Sequence, residues 1–228
     1  MCSSDLQFAD VGCGNGRYAL PVMRAGGCEL VGCDLSRNAL DAFARRLHEA
    51  SDERDVPDPA RLALVLGGPE ALPAGPPFDR FMMLFGVLSH IGPRAGRVDA
   101  LRELRQRASA DAQLLLSVPS LWRRRPLELL ASLARRGGDT LGDVRFTRLI
   151  AGRPQTFYYH LYTLRGLREE LAEAGWRLVH VEAESLAPEW LITRFAACEW
   201  LDRRLQARLP AALGYGIRAV ARPAEAGP

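Results

Sequence analysis

Two periodicities take turns along the chain. Short apolar runs are followed by stretches in which apolar residues recur every three or four positions, and polar, turn-forming residues separate them. Phe8–Val11 is the first apolar run, and it ends in the glycine-rich turn Gly12–Gly16. A helical run of about ten residues follows, then a second apolar strand that ends at Asp34. Ser36 is placed to cap a helix running to Ala50, with Leu40, Phe43, Ala44 and Leu47 as its apolar stripe. Arg61–Leu66 reads as a third strand, Phe81–Phe85 as a fourth and Gln113–Val118 as a fifth, ended by Pro119. A helix is expected over residues 96–110. Strands joined through helices predict a parallel sheet.

Residues 120–156 interrupt this alternation and are expected to form a lid-like insertion. Pro126–Arg136 has a helical stripe, stopped by Gly137 and Gly138. A helix capped by Thr163 and stopped by Gly175 leads into two further strands, Arg177–Glu184 and Gly216–Arg222, with a helix near 196–209 between them. The sum is an α/β fold with a seven-stranded sheet. It is mostly parallel, with an antiparallel C-terminal edge and helices on both faces. Residues 7–228 form one domain on this reading, which suits the length of the chain. Residues 1–6 read as a non-native leader resembling a translated sequencing adapter, so the natural chain is expected to begin earlier.

Composition narrows the chemistry. Hydrophobic residues make up 48% of the chain, enough for a sizeable core. No window approaches the roughly 18 unbroken apolar residues of a membrane span, and no signal peptide precedes the first strand. A cytoplasmic protein is expected. All 30 basic residues are Arg. This excludes lysine Schiff bases and the P-loop lysine, and the abundance of Arg, Ala, Gly and Pro suggests a GC-rich bacterial genome. The net charge of +3 is too small to argue for nucleic acid. The five cysteines lack metal-ligand spacing, and Cys28 and Cys33 are expected as small core residues. No metal is expected.

In open α/β sheets, ligands bind beyond the carboxyl ends of the strands. That rule selects Gly12–Gly16, Asp34 and Leu35, Gly68–Leu72, Gly86–His90, and Pro119 with Ser120. Gly12 permits the tight turn, Gly14 allows a ligand close to bare backbone, and Gly16 opens the helix. Asp34 at a strand end suits the two hydroxyls of a ribose. Asp10 lies two residues before the turn, where it suits an ammonium group and would repel a pyrophosphate. Arg17 stands where a dinucleotide fingerprint has its third glycine. A ligand with ribose at one end and ammonium at the other fits better than the alternative, NAD.

The run Asp10-Val11-Gly12-Cys13-Gly14-Asn15-Gly16 followed by Asp34 resembles the class I methyltransferases that use S-adenosyl-L-methionine, and among them the methyltransferase type 11/25-like domain. The resemblance implies a Rossmann-like fold and a transferase. The implied cofactor-binding residues are Asp10, Gly12, Cys13, Gly14, Gly16, Asp34, Leu35, Glu70, Ala71, Phe85 and Gly86. In this family the third-strand loop often carries an Asp for the adenine amine; Gly68 stands there, with Glu70 as a substitute. The family also carries helices before the first strand, which is why a lost N-terminus would matter. His90 is a candidate general base, equally readable as a structural residue. The segment Phe157–Thr163, with Tyr158, Tyr159 and His160, resembles the methyltransferases that modify wobble uridines in tRNA. Because side chains alternate along an extended segment, Tyr158 and His160 are expected to face the acceptor together, with Tyr159 turned away. The favoured acceptor is a small-molecule O, N or C nucleophile, with a tRNA uridine as the alternative. A third reading is an inactive nucleotide-binding module.

Overall fold

The computed structural model describes residues 6–25, 28–50, 58–121, 141–150, 152–185 and 210–225, together with Arg194, Asp202 and Arg204. The leader, apart from Leu6, and the helix expected over 126–136 lie outside these residues. So does the helix near 196–209, apart from Asp202 and Arg204, which are helical.

Seven strands form one sheet: β1 (Gln7–Val11), β2 (Glu29–Asp34), β3 (Leu62–Leu66), β4 (Phe78–Met83), β5 (Ala108–Pro119), β8 (Trp176–Ser185) and β9 (Gly216–Pro223). Their order is β3-β2-β1-β4-β5-β9-β8. The first five run parallel, and β9 is reversed, pairing antiparallel with β5 and with β8 at the edge. The expected sheet is therefore present. Its switch point lies between β1 and β4, where the chain order reverses and a crevice opens above the strand ends.

Helices cover both faces. On one side α1 (Ala19–Ala25) and α2 (Arg37–Ala50) bury Leu20, Met23, Phe43 and Leu47 against Leu30. Ala44, assigned to that stripe, is exposed. Short α3 (Val87–His90), α4 (Arg94–Gln106) and α5 (Leu164–Glu173) belong to the other side. There Leu101, Leu104, Leu167 and Leu171 pack with Phe81, Leu114 and Leu116. Trp176 joins this core edge-on to Phe81 and donates its indole N–H to the Leu101 carbonyl at 2.9 Å. The Thr163 cap and the Gly175 stop are as expected: Thr163 Oγ1 accepts from Gly166 N, and Gly175 adopts φ +82°.

Several boundaries shift: α1 has only seven residues, and β5 takes in Pro119, the residue expected to end it, which instead pairs with Gly216. Strand β4 begins at Phe78 and ends at Met83, leaving Leu84–Gly86 as a loop. Helix α4 ends at Gln106, because Ala108 already pairs with Phe78 as the start of β5.

The larger difference lies in the insertion. Its described part is a β-hairpin, β6 (Asp143–Ile150) with β7 (Arg153–His160), paired from Asp143↔His160 to Ile150↔Arg153. Beyond β7 the chain runs beside the end of β5, where Tyr162 N donates to Pro119 O and Leu121 N to Tyr162 O. Leu121, Val144, Tyr159 and Leu161 close a small separate core there.

Candidate functional site

The glycine turn places two carboxylates on either side of one backbone segment. Asp34 ends β2, and its Oδ2 accepts from Gly14 N at 2.9 Å, while Oδ1 accepts from Ser36 N at 2.8 Å. Asp10 lies within β1, 4% exposed, and among the described residues its carboxylate takes no hydrogen bond. Burial, and then the charge of Asp34, push its pKa up to about 7. A buried acid without a donor is the environment an incoming ammonium group relieves. Of the three glycines, Gly16 is packed: a Cβ there would meet the Phe43 ring at 2.3 Å. Gly14 is open, with nothing within 4 Å of a Cβ. It therefore leaves bare backbone facing the crevice. Burial raises the Cys13 thiol and carries Cys33 up to about 12, so both remain protonated, inert side chains.

Two cavities meet over this turn, with Gly12 and Val87 lining both. The larger, about 600 Å³, contains Asp34, Leu35, Gly68, Glu70 and His90, and extends to Asp99 and Glu103 of α4. Leu35 projects into it 81% exposed, ready to pack on a flat ring. The smaller, about 250 Å³, contains Asp10, Cys13, Gly14, Arg17, Tyr18 and Phe85. The residues thus fit S-adenosylmethionine. Asp34 and Leu35 suit its nucleoside end, and Asp10 suits its amino-acid end.

Three expected cofactor residues line neither cavity: Gly16, Ala71 and Gly86. Ala71 N donates within its own turn to Gly68 O. The substitute Glu70 folds back, with Oε1 accepting from Gly68 N at 2.9 Å. Gly86 is buried under Tyr159.

The loop after β4 is held in an uncommon backbone. Phe85 and Gly86 are both left-handed, at φ 58° and 72°. Ser117 fixes the pair, its Oγ accepting from Phe85 N at 2.8 Å and its carbonyl from Gly86 N at 3.0 Å. The result turns the Phe85 ring outward, 54% exposed and 4.9 Å from the Tyr18 ring. His90 is braced by the Tyr159 ring at 4.7 Å, and its Nδ1 lies 3.3 Å from the Tyr158 carbonyl. A carbonyl can only accept, so this contact favours the tautomer with a lone pair on Nε2.

The alternation along β7 holds, but the expected side is reversed. Tyr159 faces the Gly86–His90 loop. Tyr158 and His160 turn away from the crevice into a buried polar network. Tyr158 Oη accepts from Arg97 at 2.8 Å and donates to Asp143 at 2.5 Å, and His160 Nδ1 meets the same Asp143 oxygen at 2.6 Å. Arg97 lies fully buried on α4 and engages Glu170 of α5 through Nε and Nη2. Tyr162 Oη donates to that Glu170 at 2.7 Å. Burial raises the pKa of both Tyr158 and Tyr162, and their carboxylate partners add to it. For Arg97, burial works against the charge, but the bonds to Glu170 outweigh it and its pKa rises. Sequence reading missed Arg97 and Glu170. Their signal was a charge within the apolar stripe of each helix, Arg97 with Val98 and Leu101, and Glu170 with Leu167 and Leu171.

Fold and crevice together define a Rossmann-like α/β domain with its cavities at the carboxyl ends of the parallel strands. Residues 8–110 match the family model described as a methyltransferase domain. Residues 8–110 therefore carry a methyltransferase domain, and S-adenosylmethionine is the cofactor that the residues of its crevice fit. Solved structures share the whole fold at low identity. A methyltransferase of Methanosarcina mazei is 15% identical with TM-score 0.72, covering 97% of this chain and 94% of its own. The CcbJ methyltransferase of Streptomyces caelestis is 17% identical with TM-score 0.63, covering 96% and 83%. The 1,6-didemethyltoxoflavin-N1-methyltransferase of Burkholderia thailandensis is 16% identical with TM-score 0.57, covering 96% and 71%. Among curated proteins, none matches the sequence.

Proposed function

We propose that this protein is a cytoplasmic enzyme that moves the methyl group of S-adenosylmethionine to a small-molecule O, N or C nucleophile. The observation that carries the reading is the pair of joined cavities with Asp34 in one and the unpartnered Asp10 in the other. Asp34 accepts the ribose hydroxyls, and Asp10 holds the ammonium. Bound there, the cofactor supplies an electrophilic methyl group on a sulfonium sulfur. The protein's task is then to hold the acceptor in line. With the cofactor bound, an electron pair of the acceptor would form the new bond to the methyl carbon as the carbon–sulfur bond broke toward sulfur, and the acceptor's proton would pass to a base. His90 Nε2, in the tautomer its Tyr158 contact favours, serves as that base. A fold neighbour that holds bound 1,6-didemethyltoxoflavin lends weight to a small acceptor.

Calorimetric titration with S-adenosylmethionine and with NAD tests the ligand class. Saturable binding of the first alone is expected; binding of NAD alone would overturn the reading. A parallel titration with tRNA across salt concentrations addresses the nucleic-acid acceptor, since phosphate contacts make affinity fall steeply with salt. Tight, salt-sensitive binding there would replace the small molecule with RNA.

A further inference from the structure

We propose that Arg17, Tyr18 and Phe85 form the acceptor platform, and that the acceptor is a flat aromatic or heteroaromatic small molecule bearing an anionic group. This rests on the methyltransferase reading and names the substrate class of the same site.

The backbone argues for it first. A non-glycine residue in the left-handed region carries strain, and Phe85 is held there by one hydrogen bond of its own N–H to Ser117 and one of the next residue, Gly86. A third support comes from below, where Tyr159 packs so closely on Gly86 that a Cβ there would lie 2.8 Å from its hydroxyl. The consequence of this effort is a large apolar ring displayed to solvent at the mouth of the smaller cavity. More than half of Phe85 stays exposed, so its ring is not there to fill the core.

The ring does not stand alone. Tyr18 meets it at 4.9 Å with a 35° tilt, making a splayed pair of aromatic faces. Such faces take a further flat π-system by offset or edge packing. Arg17 stands over both, its guanidinium carbon 5.6 Å from the Tyr18 centroid and 6.0 Å from that of Phe85. Its side is exposed, and among the described residues it has no carboxylate partner. A guanidinium held over aromatic rings keeps its edge N–H groups for a planar anion.

Charge then selects which side of the crevice an anionic acceptor uses. The larger cavity carries Asp34, Glu70, Asp99 and Glu103 and repels the anionic group, so only the reacting end of the acceptor approaches the shared wall of Gly12 and Val87 and His90 beyond it. The smaller one offers Arg17 at its mouth, with Asp10 answering the cofactor's ammonium behind.

Naphthalene-2-carboxylate is the probe, with naphthalene-2-carboxamide as its neutral counterpart. Both are titrated by ligand-observed NMR into the full chain saturated with S-adenosylhomocysteine. The carboxylate is expected to bind at least fivefold tighter than the amide. Arg17→Gln should abolish that preference while leaving S-adenosylmethionine affinity within twofold. Phe85→Leu should weaken both probes at least fivefold. An unchanged carboxylate-to-amide ratio in Arg17→Gln overturns the proposal. So does a loss of S-adenosylmethionine affinity in that variant, which would make the cofactor's own carboxylate the anion read by Arg17. Salt-sensitive tRNA binding that both variants abolish would assign the platform to nucleic acid and also overturn it. If the parent chain binds neither S-adenosylmethionine nor S-adenosylhomocysteine, the methyltransferase reading fails separately, and the probes titrated without cofactor decide the platform alone.

Discussion

Asp34 reaches back from the end of β2 to accept the backbone N–H of Gly14 at 2.9 Å. The carboxylate that fits the ribose therefore also shapes the glycine turn beneath the cofactor. Asp34→Ala removes charged hydrogen bonds worth about 1.5–3 kcal/mol each. Affinity for S-adenosylmethionine should fall at least tenfold by calorimetry. The fold should survive, because Asp34 lies at a strand end and water reaches both its donors. Parental affinity in this variant would remove Asp34 from the cofactor site.

Asp10 makes stability and binding depend on pH. Its carboxyl titrates near 7 in the folded chain, well above its ordinary value of 3.8, chiefly because it is buried. Between those values the folded state holds the proton that the unfolded state has lost, so stability falls as pH rises. The roughly three-unit gap corresponds to about 4 kcal/mol, fully present below pH 4 and lost by pH 7 to 8. Asp10→Asn should be more stable than the parent at pH 8 and nearly equal to it at pH 4, by denaturant melts. An arriving ammonium favours the ionised form. Binding of S-adenosylmethionine at pH 6.5 should therefore release a proton, seen as a dependence of the calorimetric heat on buffer ionisation enthalpy. No such dependence is expected in Asp10→Asn.

The legible parts of this chain are those written in local pattern. Gly12–Gly16 between two apolar runs fixed the first strand, the turn and the placement of Asp34, because a parallel strand–helix–strand unit leaves little choice of geometry. The hairpin was also present locally. Val144 and Phe146 alternate with Arg145 and Thr147, and Gly152 marks the turn. The apolar helical pattern of residues 126–136 lies just before it and is the stronger local signal. The facing of Tyr158 was not local at all. Alternation says that Tyr158 and Tyr159 point apart, and nothing nearby says which points where. That is decided by Arg97, 61 residues away in sequence, and by Glu170, which anchors it.

Those distant partners recast Tyr158 and His160 as supports rather than chemistry. Arg97→Met removes the hydrogen-bonded cation of buried Glu170 and leaves it only the half-exposed Arg94 at 3.9 Å, which should cost about 3 kcal/mol, the lower end for breaking a buried pair. Tyr158→Phe strands one Arg97 donor and should cost about 1–3 kcal/mol. Thermal melts should drop in both. Single-turnover rates per folded molecule should stay close to the parent in Tyr158→Phe at a temperature where it is fully folded. A specific loss of rate without a loss of stability would return Tyr158 to the reaction centre.

Gly86 and Tyr159 should show coupling in a double-mutant cycle. Gly86→Ala places a Cβ at φ +72°, which costs about 1–2 kcal/mol from the backbone alone. It also drives that Cβ to 2.8 Å from the Tyr159 hydroxyl. The hydroxyl cannot swing aside, because Tyr159 is buried among Val144 and Leu161 and packed on His90. Tyr159→Phe removes the clashing oxygen, and the next ring atom lies 3.5 Å away, an ordinary contact. The backbone cost should persist in the double variant while the steric cost disappears. The double variant should thus be more stable than the sum of the singles by about 1 kcal/mol or more, beyond the roughly 0.3–0.5 kcal/mol expected for independent sites. Chemical denaturation of the four proteins measures it. Strict additivity would mean that Tyr159 does not press on the Phe85–Gly86 loop, and that the left-handed pair is held by Ser117 alone.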